Sequence, residues 1–120
     1  MKMRGLRMTD SRRKGMRGEL EAQKLLLEKG VPMRRTYSGQ AAEGGADGCT
    51  ESSQGRVLWE VKRVEQPRLN EWIKQVDNAC QNDDDVGCIL WKRNRGEWFV
   101  VIRLDKLPLF VRIMSLFWHR

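Results

Sequence analysis

The segment Trp59-Glu-Val-Lys62 sets an acid and a lysine two residues apart, and the period of a β-strand places both on one face. Upstream, Gly45-Ala-Asp47-Gly carries a second acid just after a glycine-rich loop. If the segments around the two motifs pair as a hairpin, Asp47 comes near Glu60. Two close carboxylates repel, and each raises the other's pKa. A divalent cation relieves that repulsion. Hard oxygen ligands favour magnesium, with manganese as a substitute, over zinc. The backbone carbonyl of Val61 offers one more oxygen. A metal held there can activate water and stabilise charge on a phosphodiester, with Lys62 orienting the water or adding positive charge. The competing reading is an Asp and a Glu–Lys pair on an exposed sheet face, and Glu-Val-Lys taken alone does not exclude it.

The elements that must position these groups follow from pattern. Residues 1–10 are basic and aperiodic and read as a flexible arm. Ser11 can cap a helix from about Arg12 to Lys29, which Gly30 ends. On a helical wheel Met16, Leu20, Leu26 and Leu27 form an apolar stripe, with Glu19 and Gln23 inside it. Glu21 and Glu28 fall on the far side with Arg17 and Lys24. A carboxylate in a buried arc is costly unless paired, so Glu19 is the unusual acid of this helix. Met33–Tyr37 and Ala46–Thr50 read as short strands, with a small-residue loop at Ser38–Gly45. Arg56–Val64 reads as a strand with Val57, Trp59 and Val61 on one face and Leu58, Glu60, Lys62 and Val64 on the other. Leu69 to about Gln81 is helical, with Leu69, Trp72, Ile73, Val76, Ala79 and Cys80 sharing a face. Gly87–Lys92 and Trp98–Leu104 are strands joined by a turn at Arg93–Gly96. Phe110, Ile113, Met114, Phe117 and Trp118 have helical spacing after Pro108. The order is α+β, or α/β in a loose sense, and the helix between the third and fourth strands permits one parallel crossover.

The chain has 120 residues, enough for one domain with one modest core. The division expected is an arm at 1–10, a domain at 11–106 and an apolar tail at 107–120. The net charge is +7, and all of the excess lies in residues 1–35, which hold eleven Lys/Arg and four Asp/Glu. A one-ended excess points to a polyanion, nucleic acid ahead of an acidic membrane surface, with a solubilising tail as the plain alternative. Three cysteines without a CxxC pair give no disulfide framework and no zinc site, which fits reduced thiols in a cytosol. No run reaches the roughly 18 apolar residues of a membrane span, and no apolar stretch follows the basic start.

The set of motifs resembles the PD-(D/E)XK nuclease superfamily, and more narrowly the archaeal and phage Holliday junction resolvases, over about residues 12–104. Arg13-Lys-Gly15 followed by Glu19-Leu20 resembles the family's first helix, whose Glu contributes to metal binding. Gly45-Ala-Asp47 stands where the family has Pro-Asp or similar, with Ala46 in place of the proline. Glu60-Val-Lys62 matches the (D/E)XK element, and Gln75 with Ala79 resembles the Gln-x-x-x-Ala of several branches. Ser38-Gly39 resembles a Ser/Gly loop near the resolvase active site. The resemblance implies a restriction-endonuclease-like αβββαβ core, a mixed central sheet flanked by helices. It implies catalytic Glu19, Asp47, Glu60, Lys62 and Gln75, and a magnesium site of Glu19, Asp47, Glu60 and the Val61 carbonyl. It also implies cleavage of branched DNA by a homodimer in recombination or repair, in a bacterial, archaeal or phage-infected cytosol.

Arg12, Arg13, Lys14 and Arg17 on the first helix, with Arg34, Arg35 and Ser38 before and in the glycine loop, are the expected DNA contacts. Gln75 is balanced between a surface residue and a contact at the scissile phosphate. Asp83, Asp84 and Asp85 fit no calcium loop and read as a solvated turn. Trp72 reads as core, and Trp91 and Trp98 as a packed pair on neighbouring strands. The C-terminal aromatic stripe is either core cover or part of a dimer interface, with interface or partner contact preferred, and it has little basic flank for a membrane-surface helix.

Overall fold

A computed structural model describes residues 10–36 and 45–118, with side chains from residue 15 onward. The expected basic arm and most of the glycine loop lie outside the described residues. The elements are α1 (Asp10–Glu28), β1 (Arg34–Arg35), β2 (Gly48–Ser52), β3 (Gly55–Arg63), α2 (Leu69–Ala79), β4 (Asp85–Lys92), β5 (Phe99–Val101), a 3-10 turn (Leu104–Lys106) and α3 (Leu107–Trp118). They build one mixed sheet in the order β1-β2-β3-β4-β5. β3 and β4 pair in parallel across α2, and the other neighbours are antiparallel. This is the mixed α+β architecture expected, with helices on both faces.

The period of two in β3 divides the core. Val57 and Trp59 join Val86, Cys88 and Leu90 of β4 beneath α1 and α3. On the other face Leu58 packs with Ala46, Cys49 and Ala79, and Ile89 packs with Trp72 and Val76 of α2. β3 is therefore covered on both sides, as a strand with a parallel neighbour usually is. The β2–β3 turn depends on Gly55, whose φ is +146°. A Cβ there would stand 2.2 Å from the Asp84 carbonyl oxygen.

Several expectations are corrected. Asp10 is already helical, so Ser11 lies within α1 and is not its cap. The apolar stripe of α1 is not its buried face: Met16, Leu20 and Leu27 are exposed, and Gly18 and Ala22 are buried. The helix approaches β3 through small residues, so a Cβ on Gly18 would meet the Cβ of Arg63 at 3.6 Å. Small residues carry little hydropathy, so the wheel was weighted toward the wrong arc. Glu21 is not on a far side either. It accepts from Lys92 Nζ at 2.9 Å and Trp98 Nε1 at 2.7 Å, which pulls its carboxyl below its ordinary pKa.

Trp91 stands opposite Phe99, not Trp98, and its ring lies between those of Trp72 and Phe99. Trp98, one residue earlier, serves the α1 side of the sheet instead. The C-terminal segment is core cover on its inner face: Ile113 and Met114 are buried, and Phe110 sets its ring edge-on to Trp59 at 6.4 Å. That places α3 in the same core as the rest of the domain.

Asp85 overturns the reading of a solvated acidic turn. It is fully buried and opens β4. Arg56 grips both of its carboxylate oxygens, at 2.9 and 2.8 Å. The N–H groups of Gln81 and Asn82 donate to it at 2.8 and 3.0 Å. Burial alone would raise its pKa, but the guanidinium and the two amides outweigh that and hold it below the usual range. Arg56 and Asp85 are also register partners, so the pair locks the first rung of the β3–β4 ladder. Removing one partner of a buried pair strands the other charge, at a cost of about 3–5 kcal/mol. Arg56→Ala is expected to lower unfolding free energy by about that amount, measured by urea titration followed by circular dichroism.

Candidate functional site

β2 is shorter than β3. Its first residue, Gly48, pairs with Trp59, so Glu60–Arg63 run on without a β2 partner. The backbone of Asp47 sits at this break. Its N–H donates to the Trp59 carbonyl at 2.9 Å, and its carbonyl accepts from the Thr36 N–H at 3.0 Å. The next β3 donor facing that side is Val61 N–H, which finds the Asp47 carboxylate at 2.8 Å. A backbone donor that would otherwise be orphaned thus fixes the rotamer of an acid. A residue's N–H and C=O point to the same side of a strand, so the Val61 carbonyl opens on the Asp47 side too.

Glu60 lies on the α2 face of β3 and is 7 % exposed. Lys62, two residues on, sets its ammonium 3.8 Å from the Glu60 carboxyl. That ammonium also stands 6.0 Å from the centre of the Trp72 ring. Glu19 approaches from α1, with Arg35 of β1 at 3.6 Å. The Gly45–Ala46 segment and α2 complete a cavity of about 540 Å³ lined by Glu19, Gly45, Asp47, Glu60, Val61, Lys62, Gln75 and Asn78.

Burial raises the carboxyl of Glu60, and Asp47 raises it further while Lys62 pulls it down, leaving it at about 7. The contact between the two carboxyls adds to the rise of Glu60 and lowers Asp47. Asp47 itself is raised by burial, opposed by the Val61 N–H and by Lys62. Glu19 is raised by burial and by Asp47, with Arg35 in opposition. Three desolvated acids with raised pKa values face one polar cavity, which is a common mark of a functional site.

The structure thus brings Glu19, Asp47, Glu60, Val61, Lys62 and Gln75 around one cavity. Asn78 was passed over in the sequence. It lies three residues after Gln75, one helical turn on the same face, and that spacing was the available signal. The expected DNA contacts are more scattered. Arg17 is exposed on α1. Arg34 and Arg35 point to opposite faces of β1, Arg34 to Glu51 at 3.5 Å and Arg35 to Glu19. The side chains of Arg12, Arg13 and Lys14, and all of Ser38, lie outside the described residues.

Residues 10–116 match the model of a family described as phage putative PDDEXK endonuclease. The chain belongs to this family. Membership places it in the PD-(D/E)XK superfamily, whose name describes an acid before a strand that carries (D/E)-x-K. Asp47 ahead of β2 and Glu60-Val-Lys62 on β3 are residues of those types in that order. No curated protein and no solved structure matches the chain at a significant level. Among the described residues no helix is long and apolar enough to cross a membrane.

The PD-(D/E)XK superfamily implies a divalent metal, and the donor set can be tested against one. Among the described residues no three Asp, Glu, His or Cys side chains are gathered into a ready-made cage. The arrangement is a tight pair, Asp47 and Glu60, with Glu19 farther out. That suits magnesium, which keeps several waters and takes only one or two protein carboxylates. It does not suit zinc, which favours closed sets of nitrogen and sulfur.

The raised acid also links stability to pH. Glu60 titrates near 4.5 in an unfolded chain and at about 7 in the folded one. Between those values the folded chain binds more protons than the unfolded chain, so stability falls as pH rises through the window and levels off above it. In EDTA, Glu60→Gln is expected to melt a few degrees above the parent chain at about pH 8 and level with it near pH 4. Scanning calorimetry at the two pH values checks this.

Proposed function

We propose that the chain is a magnesium-dependent DNA endonuclease that hydrolyses phosphodiester bonds. The observation that carries this reading is the desolvated Asp47–Glu60 pair, with the Lys62 ammonium beside it and a polar cavity in front. Asp47, Glu60 and the Val61 carbonyl would hold Mg2+, or Mn2+ in its place, with Glu19 contributing from the α1 side. When bound, the ion supplies Lewis acidity and lowers the pKa of a coordinated water. The chain's own groups do the rest. Glu60 gives up its proton as the site loads, which makes loading more favourable as pH rises through 7. Lys62 orients the attacking water and adds positive charge where the phosphate becomes more negative. Gln75 and Asn78, from α2, position the scissile phosphate from the opposite wall. Arg12, Arg13, Lys14 and Arg17 on α1, with Arg34, Arg35 and Ser38, engage the flanking backbone, so binding weakens steeply with salt.

Within that reading the substrate is branched DNA, and the enzyme is a Holliday junction resolvase working in recombination or repair in the cytosol of an infected host. The support is the residue-level resemblance at Arg13–Leu20, Ser38–Gly39 and Gln75–Ala79. Paired symmetric nicks require two active sites, hence a homodimer.

The test is cleavage of a labelled four-way junction and a matched linear duplex, each with magnesium and with EDTA. Paired nicks in the junction alone, lost in EDTA, are expected. Lys62→Met is expected to slow cleavage by about 10²–10³-fold, the usual scale for a lost transition-state charge contact. Asp47→Asn should abolish detectable cleavage while circular dichroism stays unchanged. Equal cutting of the duplex removes the resolvase assignment and leaves a nuclease of another repair, restriction or nicking role. Binding with no cleavage in any metal retires the enzyme and leaves a silent DNA-binding module.

A further inference from the structure

The turn between β4 and β5 holds a backbone conformation its sequence does not favour. The Gly96 N–H donates to the Arg93 carbonyl at 3.0 Å, closing a four-residue turn over Asn94 and Arg95. Arg95, in the third position, has φ +59°, the only non-glycine with positive φ among the described residues. Glycine or asparagine suits that position. Asn94 stands one place too early and Gly96 one place too late. A strained backbone persists where the surrounding structure over-determines it, and such residues gather at functional sites and ligand clamps.

The turn's place in the fold gives the strain a direction. β4 runs parallel to β3, with Lys62 paired to Trp91 and Arg63 to Lys92. The turn therefore leaves the sheet at the same end as Glu60 and Lys62. Arg93 is fastened to that end. Its guanidinium lies 4.6 Å from the centre of the Trp91 ring, and its Nε donates to the Glu65 carbonyl at 3.1 Å. Trp91 in turn stacks toward Trp72 at 6.1 Å, beside the Lys62 ammonium. Arg93 and Arg95 are both exposed, and neither forms an ion pair with a carboxylate among the described residues. The neighbouring basic residues on the α1 side are spent differently: Arg35 on Glu19, and Arg63 and Lys92 on Glu21.

We infer that the Arg93–Gly96 turn is a second DNA contact, in which Arg93 and Arg95 grip the phosphodiester backbone where it leaves the active-site cavity. Arg93 is the pre-ordered contact, and Arg95 is the outermost one. The inference rests on the nuclease reading for its ligand, and the turn belongs to none of the motifs that define the (D/E)XK site.

Arg95→Gly separates function from folding, because glycine relieves the strained backbone while deleting the guanidinium. In EDTA, the affinity for a fluorescently labelled duplex is measured by anisotropy across a salt series. Arg95→Gly is expected to melt no lower than the parent, bind about tenfold more weakly, and lose about one from the slope of log affinity against log salt. Arg95→Lys, which keeps the charge and the strain, is expected to recover most of the affinity. Parent-like affinity and slope in Arg95→Gly would overturn the inference, as would a parent chain that does not bind DNA. The measurement needs no cleavage. A chain that binds through the turn but never cuts DNA retires the nuclease and leaves this contact standing.

Discussion

One hydrogen bond organises the active end of the molecule, that from the Val61 N–H to the Asp47 carboxylate. β3 outruns β2 by four residues, Glu60–Arg63. Unpaired backbone on a strand next to a cavity needs acceptors. Asp47 supplies one with its side chain while its own backbone is tied to Thr36, just after β1, and to Trp59 of β3. The acid is thereby held against Glu60, and the closeness of the two desolvates and perturbs both. The notch at the end of β2 admits Glu19 from α1, and α2 closes the far wall with Gln75 and Asn78. Shift β2 by one residue and the donor, the carboxylate pair and the opening would no longer meet.

The same arrangement sets folding against chemistry. Three acids face one partly buried space, where burial raises all three and the Asp47 charge raises Glu19 and Glu60 further. Natural proteins tolerate such local conflict where function requires it and make it good elsewhere. Here the compensation is visible at the opposite end of β3, where Asp85 has all the partners that Glu60 lacks. Two buried acids in register with one strand thus have opposite characters. Asp85 is held below the usual carboxylate range by a guanidinium and two amides, and Glu60 is pushed up to about 7 by burial and by a second acid.

What was legible in the sequence was whatever depends on local period. Glu60 and Lys62 share a face because strands alternate, and the two faces of β3 were assigned correctly from Val57, Trp59 and Val61 against Leu58. The hairpin bringing Asp47 toward Glu60 was readable from loop and strand composition. What failed depended on contacts between distant segments. The wheel of α1 favoured large apolar residues, whereas the helix docks through Gly18 and Ala22, so Glu19 sits beside the buried arc for a different reason from the one first given. The partners of Glu21 are invisible locally, because nothing in α1 announces Lys92 and Trp98. Asp85 looked like one of three solvated acids because its partner, Arg56, lies across a whole helix crossover. α3 seemed a tail because its covering role exists only once the sheet has formed.

The outer strands have a bearing on behaviour in concentrated solution. An open sheet ends in rows of unpaired N–H and C=O groups, which invite another chain to add a strand and begin aggregation. Both ends of this sheet are short. β1 is two residues long, and both are arginines, while β5 is three residues long. A second copy approaching edge-on finds too little ladder to hold it, and at β1 it also meets like charge. Short strands thus serve this sheet twice, β2 by opening the notch beside Asp47 and β1 and β5 by leaving little edge for another chain to join.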